Sequence, residues 1–301
     1  MRTELSEFIV KLLGKTKKHD LVVSDEKVIA YGVQLKFRKE NDEIPINIYY
    51  SKKKGISTVI GGSPRNPLKS LIQQILSKEV EASTKSHKWN IWAGTDESGK
   101  GDFFGPLVVC GFIASENILP KLKELGVKDS KLLKDQEAVR IAKTMHKIFP
   151  ENIETIVLNP LKYNDLYEKF KQQNKKLNEL LAWMHARVIL NLKEKHHFEG
   201  VVIDKFASDK VLRSSLKDLK KINLIQKTKA EDDLAVAAAS ILARYHFLLK
   251  LDDFSKKYKI EFPKGASQKV IQAGKEFSQK FGKERLKEVA KIHFKTYQEI
   301  P

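Results

Sequence analysis

The sequence predicts an α/β protein in which a small α+β domain precedes a larger domain of alternating strands and helices. Residues 1–80 contain helical patterns on either side of a stretch with strand-like alternation. In the rest of the chain, apolar strand-like runs alternate with helical patterns. A polar stretch at 78–88 separates the two regions and has the composition of an exposed connection. We therefore predict domains at 1–84 and 85–301, with the boundary near Lys85.

The N-terminal region is predicted to contain a helix, three strands and a second helix. Apolar residues recur at helical spacing between Leu5 and Leu13. Alternating apolar and polar residues then predict antiparallel strands at 28–37, 44–50 and 56–60. A helical period returns at 67–76. Together these elements make a small α+β unit.

The larger region begins with two apolar strands at 89–95 and 106–114, close enough in sequence to form a hairpin. Helices and strands alternate after them, which is typical of an α/β domain. Helices are predicted at 133–149, 174–197, 209–219, 230–251, 267–281 and 284–294, and strands at 153–158, 200–203 and 222–227.

The composition describes a globular and strongly basic protein. Hydrophobic residues make up 41% of the 301 residues, which supplies a core and argues against disorder throughout. Lys and Arg number 56 against 38 Asp and Glu, giving a net charge of +18. A surplus of this sign favours polyanions, with nucleic acid as the leading partner, although a Lys-rich solvated surface would give the same charge.

Cysteine usage and hydropathy predict where the protein works. The single cysteine, Cys110, lies in an apolar run, so the monomer cannot form a disulfide or a cysteine-based zinc site. Charged residues interrupt the apolar N-terminal stretch, and no run approaches the ~20 apolar residues of a membrane helix. We expect a cytoplasmic protein that is neither exported nor membrane-spanning.

The most informative segment is residues 94–101, Gly-Thr-Asp-Glu-Ser-Gly-Lys-Gly. It places two adjacent carboxylates, Asp96 and Glu97, at a strand end, followed by a turn with glycines on both sides of Lys100. A phosphate-binding P-loop has similar spacing, but Gly101 stands where that motif needs Ser or Thr, and a strand follows in place of a helix. In the other interpretation the carboxylates bind a divalent metal and the glycines let a nucleic-acid backbone approach.

Further carboxylates are needed, because a two-metal phosphodiester centre usually draws its acids from several elements. Asp204 follows the buried strand 200–203, at the sheet edge where ligands of α/β proteins gather, although alone it would be an ordinary turn residue. Glu231 is placed in the first turn of a helix and has capping-box spacing, so it either binds metal or caps the helix. Asp232 and Asp233 compete with it as ligands.

Two other groups of residues bear on chemistry. Ser130 and Lys131 precede a predicted helix and offer a hydroxyl and a cation to phosphates, with an ordinary helix N-cap as the alternative role for Asp129 or Ser130. The histidines, His185 and His246 among them, show no metal-binding pairing and are interpreted as surface or packing residues.

Together these motifs resemble bacterial ribonucleases H of the second structural type, and within that group most closely the ribonuclease HIII family. The motifs that carry the resemblance are residues 94–106, Asp129-Ser130-Lys131, Val202-Ile203-Asp204, Thr228-Lys229-Ala230-Glu231 and residues 237–245. The resemblance covers essentially all of residues 89–301 and is looser over residues 1–80.

The resemblance implies a ribonuclease H-like fold, a central mixed sheet with flanking helices, preceded by a domain similar to the TATA-box-binding-protein fold. It implies endonucleolytic hydrolysis of the RNA strand of RNA–DNA hybrids by a two-metal mechanism, leaving 5′-phosphate and 3′-hydroxyl ends. The implied cofactor is Mg²⁺ or Mn²⁺. The family's four acidic ligands match Asp96, Glu97, Asp204 and Glu231.

Substrate contacts are expected from Gly99, Lys100, Gly101, Ser130 and Lys131. The backbone at 99–101 is suited to reading the 2′-hydroxyl that distinguishes RNA from DNA. The N-terminal domain is expected to bind the hybrid, so that deleting residues 1–80 should raise KM far more than it lowers turnover. We expect a monomer that uses no organic cofactor and binds no membrane.

Two other functions remain open at this point. A non-catalytic, basic nucleic-acid-binding protein would explain the charge, although not the four acids in these motifs. A P-loop-like nucleotide binder would explain the glycines and Lys100. Cutting at a single embedded ribonucleotide is a variant of the favoured activity.

Overall fold

The computed structural model describes residues 3–51, 55–63, 66–73, 75–76, 87–128, 130–206, 211, 222–228 and 230–301, with only the backbone of Thr3 and Glu231. The chain divides into two compact units, Met1–Lys88 and Trp89–Pro301. The boundary predicted near Lys85 and the helix predicted at 209–219 fall outside the described residues, apart from residue 211.

The N-terminal unit is a four-stranded antiparallel sheet with helices packed on one face. Its elements are α1 (Thr3–Lys17), β1 (Val22–Ile29), β2 (Gly32–Lys39), β3 (Asp42–Ser51) and β4 (Gly55–Ile60), and the strand order is β1-β2-β3-β4. Residues 68–73 and 75–76 are also helical. Alternate residues of β2 and β3, such as Leu35 and Ile46, form the core with Phe8 and Leu12 of α1.

One predicted strand of this sheet is wrong. The apolar run at 28–37 is not a single strand but a hairpin, in which β1 ends at Ile29 and β2 begins at Gly32. Tyr31 turns the chain with a positive φ of 65°. Strand β1 itself escaped prediction because it is exposed along nearly its whole length and therefore lacks the alternation of a half-buried strand.

The larger unit is built around a five-stranded mixed sheet, which confirms the predicted architecture. Its elements are β5 (Ile91–Ser98), β6 (Leu107–Ser115), α2 (Leu119–Glu124), α3 (Asp135–Ile148), β7 (Ile153–Leu158), α4 (Pro160–Gln172), α5 (Leu177–Lys195), β8 (Gly200–Asp204), β9 (Asn223–Lys227), α6 (Leu234–Tyr258) and α7 (Gln268–Phe281). The strand order is β7-β6-β5-β8-β9. Strands β5, β8 and β9 are parallel, whereas β6 and β7 are antiparallel to their neighbours.

Helices α5 and α6 pack on opposite faces of this sheet, since they join different sets of alternate strand residues. The small residues at the start of α6 allow very close packing on β5. A Cβ atom added to Gly94 would lie 2.3 Å from the backbone of Ala235 and Val236, so only glycine fits there. The middle of β5 is thereby packed closely against the start of α6.

The start of α6 corrects the sequence interpretation of Glu231. Residues Ala230–Asp232 form a 3-10 turn, and α6 begins at Leu234. The helix cap is Asp233, whose carboxylate accepts hydrogen bonds from the amides of Ala235 and Val236. Placing Glu231 in the first turn of the helix, or as its cap, was therefore wrong.

Two further differences concern helices. Residues 284–294 were predicted to be helical but form only a 3-10 turn, Lys283–Glu288, followed by irregular chain. Helices α2 and α4 were not predicted, and both begin with a proline in their first turn. Proline is compatible with this position because the amide it lacks would have no partner within the helix.

Helix α6 also bears on the membrane prediction. Among the helices that the structure describes, it is the one that is long and apolar enough to cross a membrane, contrary to the expectation that no such run exists. More than half of its most apolar stretch is buried, and the helix packs against β5 and β6. Buried core helices can be equally long and apolar, so a single helix of this kind is weak evidence for membrane insertion.

Candidate active site

A cavity of about 570 Å³ lies at the ends of the parallel strands β5 and β8. Three of the four predicted carboxylates line it, namely Asp96, Glu97 and Asp204. So do all five predicted substrate-binding residues, Gly99, Lys100, Gly101, Ser130 and Lys131. Glu231 follows β9 in a turn beside this edge of the sheet, and its side chain is outside the described atoms.

Asp96 and Glu97 point to opposite faces of β5, as successive strand residues do, and each obtains a partner from a different helix. On the α6 side, Ser240 donates a hydrogen bond to Asp96. Ser240 Oγ also lies 2.8 Å from Ser130 Oγ, so the two hydroxyls are hydrogen-bonded to each other. On the α5 side, His185 Nε2 lies 3.2 Å from Glu97 Oε2.

The carboxylates at this edge repel one another. Burial, together with the nearby charges of Glu97 and Asp204, raises the pKa of Asp96 to about 8. Hydrogen bonds from Ser240 and from the Glu97 amide, which lies 2.8 Å from Asp96 Oδ1, oppose this rise. Asp204 Oδ1 accepts a hydrogen bond of 3.1 Å from the Ala230 amide. Ionisation of Asp96 is therefore unfavourable unless a cation lies beside it.

These groups fit a divalent cation. Carboxylate oxygens are the ligands that Mg²⁺ and Mn²⁺ prefer, and a cation would relieve the repulsion at Asp96. Among the side chains that the structure describes, no three His, Cys, Asp or Glu groups surround a point that could hold an ion. That is compatible with Mg²⁺, which commonly takes one or two carboxylates and completes its shell with water and substrate phosphate oxygens.

Positive groups surround the other side of the cavity. Arg244 of α6 donates hydrogen bonds to the carbonyls of Ser130 and Leu133 and to Asp135, which also accepts a 2.6 Å hydrogen bond from Lys264. Burial acts to raise the pKa of Asp135, but the hydrogen bonds from Lys264 and Arg244 outweigh it and lower that pKa. Arg244 therefore fixes the turn that carries Ser130.

The turn at Ser130 lines the cavity but does not cap a helix. Ser130–Leu132 is a 3-10 turn, and the N-cap residue of α3 is Lys134, so Ser130 is not the ordinary helix cap that was considered. Asp129 lies outside the described residues. Lys131 is exposed at the cavity, where its charge is accessible to a phosphate.

The glycines after β5 serve different purposes. Gly99 has a φ of +89°, and a Cβ there would lie 2.1 Å from the carbonyl oxygen of Pro106, so the fold itself requires glycine. A Cβ on Gly101 would meet no atom within 4 Å, which leaves that backbone open to a ligand. Strand β6 follows this turn, whereas a helix follows the turn of a P-loop.

Sequence reasoning gave no individual role to three residues of this site: His185, Ser240 and Arg244. Ser240 and Arg244 lie within the motif at 237–245 and are four residues apart, so they share one face of α6. His185 was interpreted as a surface or packing residue, yet it is fully buried and hydrogen-bonded to Glu97.

Residues 93–297 match the family model described as Ribonuclease HII. Ribonuclease HIII of Protochlamydia amoebophila is 47% identical over 208 residues, which cover 69% of this chain and 67% of that protein. The chain belongs to the ribonuclease HIII family. Ribonuclease HIII of Bacillus cereus is 40% identical over 238 residues, 74% of this chain and 75% of that protein.

Solved structures agree with this assignment. Bst-RNase HIII in complex with Mn²⁺ superposes with a TM-score of 0.68 at 26% identity, covering 96% of this chain and 94% of that one. Aquifex aeolicus RNase H3 gives 0.57 at 26% identity, covering 95% and 96%. The ribonuclease H-like fold is confirmed. As a family member, the chain is a metal-dependent ribonuclease H, an endonuclease that hydrolyses RNA in RNA–DNA hybrids.

Proposed function

We propose that hydrolysis of the RNA strand takes place in this cavity, with Asp96, Glu97, Asp204 and Glu231 as ligands of Mg²⁺ or Mn²⁺. The observation that carries the proposal is the convergence of Asp96, Glu97 and Asp204 at one edge of the sheet, beside the open turn at 99–101. The Mn²⁺ complex of Bst-RNase HIII supports the choice of metal. The expected products have 5′-phosphate and 3′-hydroxyl ends.

In this proposal the acidic residues hold the metal ions, and other residues of the cavity bind the substrate. Ions bound in such two-metal sites activate the attacking water and stabilise charge on the departing oxygen. Lys100 and Lys131 attract the phosphates of the RNA strand, and the open backbone at Gly101 accommodates the sugar. The amides and carbonyls of 99–101 contact the 2′-hydroxyl, which both donates and accepts hydrogen bonds.

The fourth ligand provides the direct test. Glu231→Gln should lower kcat by roughly 100-fold or more, because an amide does not replace an anionic ligand of a hard cation. Asp232→Asn is the matched control: its side chain is 71% exposed and lies 3.9 Å from Lys227 Nζ, so its loss should leave activity within about twofold. Cleavage of an end-labelled RNA strand in a hybrid, with Mg²⁺, Mn²⁺ or chelator, measures both variants.

The outcomes of this test separate the alternatives. The reverse pattern, with Asp232→Asn inactive and Glu231→Gln active, would assign the fourth position to Asp232. Tight hybrid binding by the unaltered chain without cleavage in either metal would favour a non-catalytic binding protein. Saturable ATP or GTP binding would favour the nucleotide-binding alternative.

The N-terminal unit offers a polar surface for the hybrid. On the sheet face opposite the core, Gln34 Nε2 donates a 2.6 Å hydrogen bond to Asn47 Oδ1, and Asn47 Nδ2 lies 3.2 Å from the Tyr49 hydroxyl. Amide and hydroxyl groups in a row can contact the sugar and base edges of an A-like minor groove. We propose that this row, Gln34, Asn47 and Tyr49, binds the hybrid and holds it near the catalytic unit.

A double variant tests this row. Gln34→Ala/Tyr49→Ala should raise KM by roughly 10-fold through the loss of one or two hydrogen bonds and leave kcat within about twofold. Lys11→Ala, an exposed change on helix α1, is the control and should alter neither. An unchanged KM in the double variant would mean that the N-terminal unit only stabilises its neighbour.

We also propose that the chain works in the cytoplasm as a monomer without an organic cofactor. Cys110 is a buried free thiol, which suits a reducing compartment. Hydrolysis of a phosphodiester needs only water and the metal ions. Size-exclusion chromatography with light scattering measures the oligomeric state.

A further inference from the structure

His185 connects two residues of strand β5 through the neighbouring helix. It belongs to α5, and its side chain is fully buried. Its Nε2 lies 3.2 Å from Glu97 Oε2, and its Nδ1 lies 2.8 Å from Thr95 Oγ1. Thr95 and Glu97 are two residues apart and therefore face the same side of the strand. The ring of Phe206 stacks on the imidazole at 4.6 Å and 13°.

These contacts define which nitrogen carries the proton. An ionised carboxylate only accepts hydrogen bonds, so Nε2 of His185 must donate to Glu97. With Nε2 as donor, Nδ1 is left as the acceptor of the ring, and the hydroxyl of Thr95 at 2.8 Å is placed to donate to it. Thr95 is itself fully buried, so no solvent competes for this hydroxyl. The arrangement is a chain of two hydrogen bonds that starts and ends on β5.

The same contacts restrain the Glu97 carboxylate. A glutamate has several rotatable bonds, and ordering it costs conformational entropy. His185 holds Oε2 on the α5 side, while Oε1 lies 3.8 Å from Lys100 Nζ among the residues that line the cavity. One oxygen is therefore fixed by the protein and the other is presented to the cavity.

We propose that His185 is a positioning residue for Glu97, and that Thr95 sets the tautomer in which it acts. The inference rests on the proposed role of Glu97 as a metal ligand. Hydrogen bonds to ligating carboxylates from the surrounding shell are worth roughly 10- to 100-fold in metal affinity or activity. No local sequence pattern links His185 to Glu97, since 88 residues separate them.

Substitutions at His185 that keep or remove the donor test the proposal. His185→Leu removes the hydrogen bond to Glu97 and should weaken Mn²⁺ binding and lower kcat, each by roughly 10-fold or more, with KM for the hybrid little changed. His185→Gln keeps an amide donor near the position of Nε2 and should recover most of both. Isothermal titration calorimetry of Mn²⁺ with the substrate-free full chain gives a readout that does not depend on turnover.

A second variant leaves His185 in place. Thr95→Val is isosteric and removes only the hydroxyl that fixes the ring. It should reproduce part of the loss of Mn²⁺ affinity and kcat expected for His185→Leu. The double variant should lose no more than His185→Leu alone. Thr155→Val is its control, because it removes a comparable hydroxyl contact, 3.2 Å from Cys110 Sγ, two strands away. Imidazole ¹⁵N shifts of the metal-free chain should show His185 protonated at Nε2.

Three outcomes would contradict the positioning role of His185. Normal Mn²⁺ affinity and kcat in His185→Leu, with Glu97→Gln impaired, would overturn the positioning role while leaving Glu97 as a ligand. Equal losses in the Gln and Leu variants that follow their losses of thermal stability would make His185 a packing residue and overturn it too, as would an Nδ1-protonated ring. If Glu97→Gln binds Mn²⁺ and cleaves normally, the ligand role of Glu97 fails and this inference fails with it.

Discussion

Asp96→Asn should abolish RNA cleavage and make the metal-free protein more stable. The neutral amide replaces a negatively charged metal ligand. If the metal then loses several kcal/mol of its stabilisation of the transition state, kcat falls by about three orders of magnitude. The Asn oxygen still accepts the hydrogen bond from the Glu97 amide, so the strand end keeps its geometry. Hybrid cleavage with Mg²⁺ or Mn²⁺ and thermal unfolding in chelator measure the two effects.

The gain in stability follows from the same electrostatics that bind metal. Burial and the charges of Glu97 and Asp204 disfavour an ionised carboxylate at Asp96, and a neutral amide escapes this penalty. Asp253→Asn serves as the control, because it changes an exposed carboxylate paired with Lys250 and should alter neither property appreciably. Retained cleavage by Asp96→Asn would remove this residue from the proposed ligands.

The central sheet could be predicted from sequence because its strands are strongly apolar. Strand β6 is buried along almost its entire length, and β8 is a short run of apolar residues ending in Asp204. Such apolar runs can be identified as strands from the sequence alone, without knowing which strands they pair with. Strand β1 failed for the opposite reason, since an exposed edge strand carries no periodic signal.

The boundaries of α6 show where tertiary context decides. The sequence from Thr228 to Glu231 has the spacing of a capping box, which alone would start a helix. Asp204 instead accepts the amide of Ala230, and the chain makes a 3-10 turn before Asp233 caps α6. A contact between residues 26 positions apart thus outweighed a local pattern.

The convergence of Asp96 and Asp204 was predictable from sequence, whereas the residues that support them were not. Asp96 and Asp204 lie near the carboxyl ends of apolar strands, and parallel strands bring these ends to one edge, so topology alone places them together. Arg244 acts on Asp135 across 109 residues. Its local surroundings are those of any polar residue on a core helix, so only the folded chain discloses this contact.

The second large effect concerns the stability of the turn at 104–106, which a buried lysine holds. Lys291 is fully buried, and its ammonium group donates a 2.6 Å hydrogen bond to the carbonyl of Gly105. The carbonyls of Phe104 and Pro106 lie at 3.4 and 3.5 Å. Burial lowers the pKa of Lys291 from 10.5 to about 7, and the charge of Asp102 only partly opposes this. The turn it holds includes Pro106, whose carbonyl faces Gly99.

Lys291→Met should therefore remove a rise of stability with pH. Between pH 7 and pH 10.5 the unfolded chain keeps a proton on Lys291 that the folded chain releases, so the free energy of unfolding of the unaltered protein increases across this window. A fall in pKa from 10.5 to about 7 limits the gain to about 5 kcal/mol. Urea unfolding of both proteins at pH 7, 8, 9 and 10 measures the difference, which should shift in favour of the unaltered protein as pH rises.

The comparison with a surface lysine isolates the effect of burial. Lys280 pairs with Glu276 at 2.6 Å and is 51% exposed, so Lys280→Met should give a stability difference that is nearly constant from pH 7 to pH 10. A constant difference for Lys291→Met as well would mean that Lys291 titrates as it does in the unfolded chain. A pH-dependent difference in Lys291→Met alone would show that the turn beside the active site is held by a lysine that folding keeps partly discharged at neutral pH.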